Sequence, residues 1–137
     1  MSDNRYSIDP RAAELAELLA RIPSDEPIVM LNLLRFHDRA QYADGDRGLT
    51  GREAYQRYSE LVVPFLSAVD GQAQWLAAAH APLIAPPGED WHKVMLVRYP
   101  SIGHFVTMLR NPDYQAITEH RTAALMDSRL IACTEDK

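Results

Sequence analysis

The sequence is poor in the residues that cross-link or anchor a small protein. Its single cysteine, Cys133, cannot form an intrachain disulfide, and one free thiol is typical of a reducing compartment. No Cys and His pattern has zinc-site spacing, so we predict no metal site. The apolar runs fall short of the roughly 20 residues that span a bilayer, and residues 1–5 lack the apolar core of a secretory signal. We therefore expect a cytoplasmic protein with no membrane partner.

Positive charge is also scarce. The 137 residues include 14 basic and 19 acidic side chains, which gives a formal net charge of -5 at pH 7. A protein that binds a phosphate backbone generally presents a basic face, so the composition argues against a nucleic-acid partner. The chain has no glycine-rich phosphate loop, no nucleophile elbow and no HExxH helix. The sequence therefore predicts no cofactor and leaves open whether the protein is an enzyme.

Apolar residues are plentiful enough for one core, because 47% of the chain is hydrophobic. Near the start, Leu15, Leu18 and Ile22 recur at helical spacing, and Pro23 ends the run. We interpret residues 1–26 as an N-terminal helical extension. Residues 27–137 then form the main domain, whose size suits a single folded unit.

The main domain alternates strand-like and helical segments. The pattern of apolar residues predicts four strands, at residues 27–36, 72–79, 91–99 and 127–133. A capping box from Thr50 to Glu53 opens the first helical connection, which Pro64 should kink. Asn111 and Pro112 divide the second connection. The order β-α-β-β-α-β predicts an α+β, ferredoxin-like fold with a four-stranded antiparallel sheet and helices on one face.

Both faces of the predicted strands carry apolar residues. Val29 and Met30 point to opposite faces of one strand, and Val94 and Met95 do so in another. Because the helices of this fold cover one face only, the other would be a large sticky patch. A two-fold homodimer is the commonest way to cover such a surface. We therefore expect a homodimer that forms sheet to sheet.

Four segments of the chain carry a family resemblance. They are Met30–Phe36, Gly51–Tyr55, Leu96–Ser101 and His120–Arg129, in that order. Over about residues 27–132 the chain resembles the family known as domain of unknown function 1330. The resemblance implies the dimeric α/β-barrel superfamily, in which two sheets face each other across a dimer. It implies little about chemistry, because the family name assigns none.

Related superfamily members include haem-degrading and antibiotic-biosynthesis monooxygenases. The haem-degrading enzymes use an Asn on the first strand, a Trp in the second helix and a haem-ligating His. Asn32 is similar to the first, but Met108 and Thr118 occupy the positions that look equivalent to the other two. Thr118 cannot replace imidazole as an iron ligand, and His120 lies about 200° further around the helix. The resemblance thus argues against a haem-binding or monooxygenase-like function.

Six polar or aromatic residues on otherwise apolar elements are candidates for a functional site. The catalytic candidates are His120 and Asn32, and the ligand-binding candidates are Arg98, Arg121, Tyr58 and Trp75. His120 could move a proton near neutral pH, and Asn32 could hydrogen-bond a ligand or an intermediate. Arg98 or Arg121 could hold an anionic group. Aromatic side chains would supply apolar contact area.

Each candidate also has a structural interpretation. Asn32 could fix strand register, and Tyr58 could be a core residue. His120 and Arg121 could compensate the dipole at the end of their helix. Arg98 could form an internal ion pair, because a buried guanidinium needs a counter-charge. The candidate carboxylates for that pair are Glu119, Asp127 and Glu53.

Two functions follow from these alternatives. The first is a cofactor-independent enzyme that acts on a small organic acid or carbonyl compound in a pocket between sheet and helices. The second is a non-catalytic small-molecule-binding or structural dimer. In both, the ligand would be small and apolar or anionic. The two differ in whether Asn32, Arg98 and Arg121 meet at a cavity or point to internal partners.

Overall fold

The computed structural model describes residues 7–10 and 12–136, so residues 1–5, considered above for a secretory signal, lie outside the described residues. The elements follow in the order α1 (Ala12–Leu19), β1 (Ile28–Phe36), α2 (Gly51–Leu61), α3 (Val63–Ala68), β2 (Gln72–Ala78), β3 (Lys93–Tyr99), α4 (Ile102–Arg110), α5 (Pro112–Ala124) and β4 (Leu125–Cys133). The predicted α+β order of helices and strands is confirmed. None of the described helices is long and apolar enough to cross a bilayer.

The four strands form one sheet in the order β2-β3-β1-β4, and all three strand pairings are antiparallel. Strand β1 lies inside the sheet, with Leu31 opposite Leu96 of β3 and Ile131 of β4. The register shifts between Arg35 and Phe36 in β1, as a β-bulge does. The predicted four-stranded antiparallel sheet is therefore confirmed.

Short local signals fix the helix ends. The Thr50 hydroxyl accepts a hydrogen bond from the Glu53 backbone N–H, and the Glu53 carboxylate accepts one from the Thr50 N–H. Pro64 lies in the first turn of α3, where its missing N–H does no harm, and separates that helix from α2. The Asn111 side chain caps α5, which begins at Pro112. These features match the sequence-based expectation.

Helices cover one face of the sheet, and the core lies beneath them. Along β1, alternate residues from Ile28 to Phe36 are buried and the residues between them are half-buried. Ile28, Leu34 and Leu125 are fully buried. The core continues into residues of α2, α4 and α5, including Tyr55 and Phe105. We call this side the covered face.

The opposite side of the sheet has no helix over it among the described residues, and we call it the open face. Its residues include Val29, Leu31, Leu33, Trp75, Ala77, Val94, Leu96, Arg98, Ile131 and Cys133, and the same pairings place Arg35, Gln72, Asp127 and Arg129 on it. Most are half-buried between their strand neighbours, while Trp75 is 56% exposed. The homodimer expected from this surface, and the division of the chain at residue 26, stay predictions.

Candidate functional site

The structure separates the six predicted site residues into three places. Asn32, Tyr58 and Arg121 belong to the covered side, His120 hydrogen-bonds a loop residue, and two residues lie on the open face. Arg98 pairs with Val29, three positions from Asn32 in the same strand, so the two side chains point to opposite faces. Trp75 pairs with Leu96 and shares the face of Arg98. Arg98 and Trp75 therefore lie on the opposite side of the sheet from Asn32 and do not meet it at a cavity between sheet and helices.

The covered interior is filled, and its polar groups bond to one another. The Asn32 side-chain amide donates to the Met30 carbonyl oxygen at 3.2 Å. The hydroxyls of Tyr58 and Tyr114 are 2.8 Å apart, and that of Tyr55 donates to a methionine sulfur. Among the described residues, no buried side-chain nitrogen or oxygen lacks a partner. These contacts fit a core role for Tyr58 and give the Asn32 amide a partner within its own strand.

Burial controls the protonation of these phenols. Loss of hydration raises the pKa of Tyr55 to about 12. The pKa of Tyr58 is raised further, first by burial and then by the neighbouring Tyr114 hydroxyl. Near neutral pH both side chains are uncharged, so they do not act as bases.

Arg121 holds the N-terminal segment against the end of α5. Its guanidinium donates to the Ile8 carbonyl oxygen at 2.6 Å and lies 3.7 Å from the Asp9 carboxylate. Thr122 hydrogen-bonds the same carboxylate, and Ser128 donates to the Ser7 carbonyl oxygen. The Arg121 side chain is only 12% exposed. These contacts provide the hydrogen bonds and the counter-charge that a buried guanidinium needs. They leave little room for a substrate anion.

Arg98 has no counter-charge. Its guanidinium makes no hydrogen bond or ion pair with any residue that the structure describes. Of the carboxylates weighed for it, Glu119 pairs with Arg47 and Asp127 pairs with Arg129. The third, Glu53, caps α2. The internal ion pair expected as one alternative is therefore not formed, because each carboxylate has another partner.

His120 has a partner that the sequence did not suggest. Its Nδ1 atom is 2.7 Å from the hydroxyl of Tyr42, and its Nε2 atom is 3.7 Å from the Glu119 carboxylate. The Arg47 guanidinium lies 4.0 Å above the Tyr42 ring. Burial raises the pKa of Tyr42 in spite of the Arg47 charge, so the phenol is neutral. Three titratable side chains thus lie in a row, namely Glu119, His120 and Tyr42.

Tyr42 and Glu119 of this row line a surface depression of about 420 Å³ between the loop after β1 and helix α5, whereas His120 is not among its lining residues. Its lining residues are Gln41, Tyr42, Ala43, Asp44, Arg47, Gln115, Thr118, Glu119, Thr122 and Ala123. The only available signal for Tyr42 was an aromatic residue inside an otherwise polar loop. A second depression of about 230 Å³ lies beside β2 and is lined by Arg52, Leu76, Ala77, Ala78, His92 and Lys93.

The positions weighed for haem chemistry have ordinary structural partners. Met108 is buried in the core, and the Thr118 hydroxyl donates to the Gln115 carbonyl oxygen at 2.7 Å. No group of three His, Cys, Asp or Glu side chains within the described ranges is placed to hold a metal ion.

The sheet order and the one-sided helix layer define an α+β protein of the ferredoxin-like type. Within that class, the chain belongs to the family described as domain of unknown function (DUF1330), which matches residues 33–133. The resemblance drawn from the sequence motifs is confirmed. No curated protein sequence matches the chain.

Solved structures support the fold at two levels of similarity. A protein of unknown function from Rhodopseudomonas palustris is 38% identical, with a TM-score of 0.87 over 96% of this chain and 98% of that one. The hydroxynitrile lyase from Passiflora edulis is 7% identical, with a TM-score of 0.56 over 82% and 96%. A dimeric ferredoxin-like protein of unknown function from Bacteroides fragilis is 8% identical, with a TM-score of 0.52 over 82% and 100%. The last two show the fold alone.

Proposed function

We propose that this protein is a homodimeric small-molecule-binding protein in which a second copy covers the open face. The observation that carries the proposal is the distribution of apolar and charged residues on that face. Its centre, formed by Leu31, Leu96 and Ile131, is apolar, and the charged side chains Arg35, Arg98, Asp127 and Arg129 lie around it. Protein interfaces commonly have this arrangement of an apolar core and a polar rim.

The apolar centre spans all four strands. Leu31 lies between Leu96 and Ile131 across the sheet, and Trp75 extends the row onto β2. Ile131 is 48% exposed and Trp75 is 56% exposed. Contiguous apolar surface of this kind is uncommon on a monomer and usually marks a binding surface.

The rim carries charge at both ends of the strands. Arg98 lies next to the last residue of β3, while Arg35 and Asp127 are opposite each other near the other end. Because the centre is uncharged, two copies can pack it together without opposing like charges. A two-fold axis places the same surface on both subunits, so a self-complementary apolar patch is enough to form the contact. The Bacteroides fragilis protein of the same fold is described as dimeric.

The test is a charge placed at the centre of the open face. Leu96→Arg would bury a guanidinium without a counter-charge in the interface, which should dissociate the dimer. The matched control is Ile84→Arg, because Ile84 is 98% exposed in the loop between β2 and β3. In sedimentation experiments we expect dimers for the parent and for Ile84→Arg, and monomers for Leu96→Arg. Circular dichroism checks that each variant is folded. A parent protein that is monomeric at high concentration would refute the proposal.

A second candidate function is a cofactor-independent enzyme for a small organic acid or carbonyl compound. The row of Glu119, His120 and Tyr42 beside the 420 Å³ depression favours it. With a proton on Nδ1 bonded to Tyr42, the His120 Nε2 atom is free to take a proton from a carbon next to a carbonyl group. The Tyr42 hydroxyl can then hydrogen-bond the oxygen that gains negative charge, and the imidazolium returns the proton. The Passiflora edulis protein shows that this fold is compatible with an enzyme, although fold alone does not transfer an activity.

This candidate predicts exchange of substrate protons with solvent. The parent would be incubated in D₂O with a panel of small ketones and keto acids, and deuterium uptake would be followed by NMR. His120→Gln should slow any catalysed exchange by about 100-fold or more, and Tyr42→Phe should also slow it. His80→Gln is the control, since His80 is an exposed loop histidine outside the depression. Uptake by the parent no faster than in buffer would remove the enzymatic candidate and leave the binding proposal in place.

A further inference from the structure

We propose that the depression beside β2 binds a small carboxylate that carries an apolar body. The depression is lined by Arg52, Leu76, Ala77, Ala78, His92 and Lys93, and we call it the cationic cleft. Its volume of about 230 Å³ corresponds to roughly seven water molecules, which suits a small organic acid. This inference rests on the proposed ligand-binding role and names the ligand class and its contacts.

The cleft brings together two cations that have no counter-charge. Neither Arg52 nor Lys93 makes a hydrogen bond or an ion pair with a residue in the described part of the chain. The protein as a whole has a net charge of -5, and other arginines pair with nearby carboxylates, as Arg39 does with Asp46. Two neighbouring cations repel each other, and an anion between them would relieve that repulsion.

Aromatic rings hold both cations in position. The Arg52 guanidinium lies 5.1 Å from the centre of the Phe36 ring, and the Lys93 ammonium lies 5.8 Å from that of Tyr55. Both rings are buried, so the surfaces on which the cations rest are fixed by the core. Cations that are already placed lose less conformational entropy when they bind an anion.

His92 adds a neutral hydrogen-bond donor. The Phe36 backbone N–H donates to its Nδ1 atom at 3.0 Å, so the imidazole proton resides on Nε2. The carboxylate closest to that Nε2 is Asp90, at 3.9 Å, which is longer than a hydrogen bond. Asp90 does not line the cleft. The Nε2–H group is therefore available to an anionic oxygen.

The remaining wall is apolar. Leu76 pairs with Met95 and so points to the covered side, yet it is 56% exposed. Strand β2 is at the edge of the sheet, and Ala78, which pairs with Lys93, continues the wall on the same side. A carboxylate with a hydrocarbon body would use the cations and this wall together, whereas inorganic phosphate would leave the wall without a contact. The combination of charge and apolar surface selects the ligand class.

Hexanoate is a suitable probe for an NMR titration of the isotope-labelled protein. Saturable shifts are expected at the Leu76 methyl groups and at the His92 ring, with weaker effects from 1-hexanol, acetate and inorganic phosphate. Arg52→Gln and Lys93→Gln should each raise the dissociation constant about tenfold, because each removes a charge-assisted hydrogen bond. The matched control is Arg57→Gln, an exposed arginine of the same helix outside the cleft, which should leave the constant unchanged.

Three outcomes would overturn the inference. They are hexanoate shifts absent from Leu76 and His92, equal affinity in the Arg52→Gln and Lys93→Gln variants, and phosphate binding as tightly as hexanoate. Shifts that instead gather around Tyr42 would refute the cationic cleft and leave the proposed ligand-binding role intact. Sedimentation of the same samples reports on the dimer separately, so failure of the proposed function is recognised as a monomeric parent.

Discussion

On the covered face of the sheet the polar side chains bond to one another, whereas on the open face Arg98 bonds to no described residue. Asn32 donates to the Met30 carbonyl oxygen at 3.2 Å, and the Tyr58 and Tyr114 hydroxyls are 2.8 Å apart. Buried polar groups in native proteins are normally satisfied in this way. The polar groups of the covered face are therefore satisfied within one chain, whereas the open face is the surface that we propose a second copy covers.

Apolar residues show the same contrast. Leu33 and Leu34 are neighbours in β1, yet Leu34 is fully buried and Leu33 is half-buried. The two faces are similar in composition and differ in what covers them. The free energy of folding of one subunit should thus depend mainly on the covered face, and the open face should contribute when two subunits meet.

The largest expected effect comes from this pair of leucines. Leu34→Ala would leave a cavity in the core and should lower the free energy of unfolding by about 2–5 kcal/mol. Leu33→Ala should cost clearly less in dilute protein, because its side chain is already half in water. Urea unfolding curves at low and high protein concentration provide the measurement. At high concentration, the loss of unfolding free energy in Leu33→Ala should grow as the dimer forms. Equal losses for both variants in dilute protein would contradict the distinction between the two faces.

Alkaline pH should ionise phenols of the covered face, since the open face contains no tyrosine among the described residues. The pKa of Tyr55 is about 12 in the folded protein, compared with 10 for an exposed phenol. Between these values the unfolded chain loses this proton and the folded chain keeps it. The stabilisation is therefore complete below pH 10 and is lost as the pH rises towards 12, by about 3 kcal/mol over the two units. Unfolding measured from pH 8 to 12 should show this slope, and Tyr55→Phe should reduce it.

The Tyr58 and Tyr114 hydroxyl pair should give a smaller effect with a distinctive pattern. Tyr58→Phe would leave the buried Tyr114 hydroxyl without a partner, at a cost of about 1–3 kcal/mol. The double variant with Tyr114→Phe should lose less than the sum of the two single variants, because no orphaned hydroxyl remains. A double-mutant cycle from urea unfolding measures this coupling. Strictly additive losses would show that the 2.8 Å contact contributes nothing.

The sequence predicted the features that depend on local chemistry. The Thr50–Glu53 capping box, Pro64 and the Asn111 cap determined the helix ends, and nearly continuous apolar runs in the strands predicted that both faces would be apolar. Family motifs then matched a known domain over most of the chain. Each of the local signals involves residues that are close together in the chain, so it can be recognised from the sequence alone.

Contacts between distant residues could not be predicted in the same way. Tyr42 and His120 are 78 positions apart, and Arg121 reaches Ile8 across 113 positions. Asn32 and Arg98 do not meet at one cavity, because the pairing of β1 with β3 places their side chains on opposite faces of the sheet. Strand register decided this point, and register depends on tertiary pairing.

The smallest expected effect again separates the two faces. Arg98→Gln should change the free energy of unfolding of dilute protein by less than about 0.5 kcal/mol, because the side chain has no described partner to lose. Arg121→Gln is the contrasting variant, since its guanidinium donates at 2.6 Å to the Ile8 carbonyl oxygen and its loss should cost about 1–3 kcal/mol. Both changes remove one positive charge, so the difference reports on local contacts and not on net charge. Suppose that Arg98→Gln lowered the free energy of unfolding of monomeric protein as much as Arg121→Gln. Arg98 would then have a stabilising partner within its own subunit, and the open face would not need a second copy to cover it.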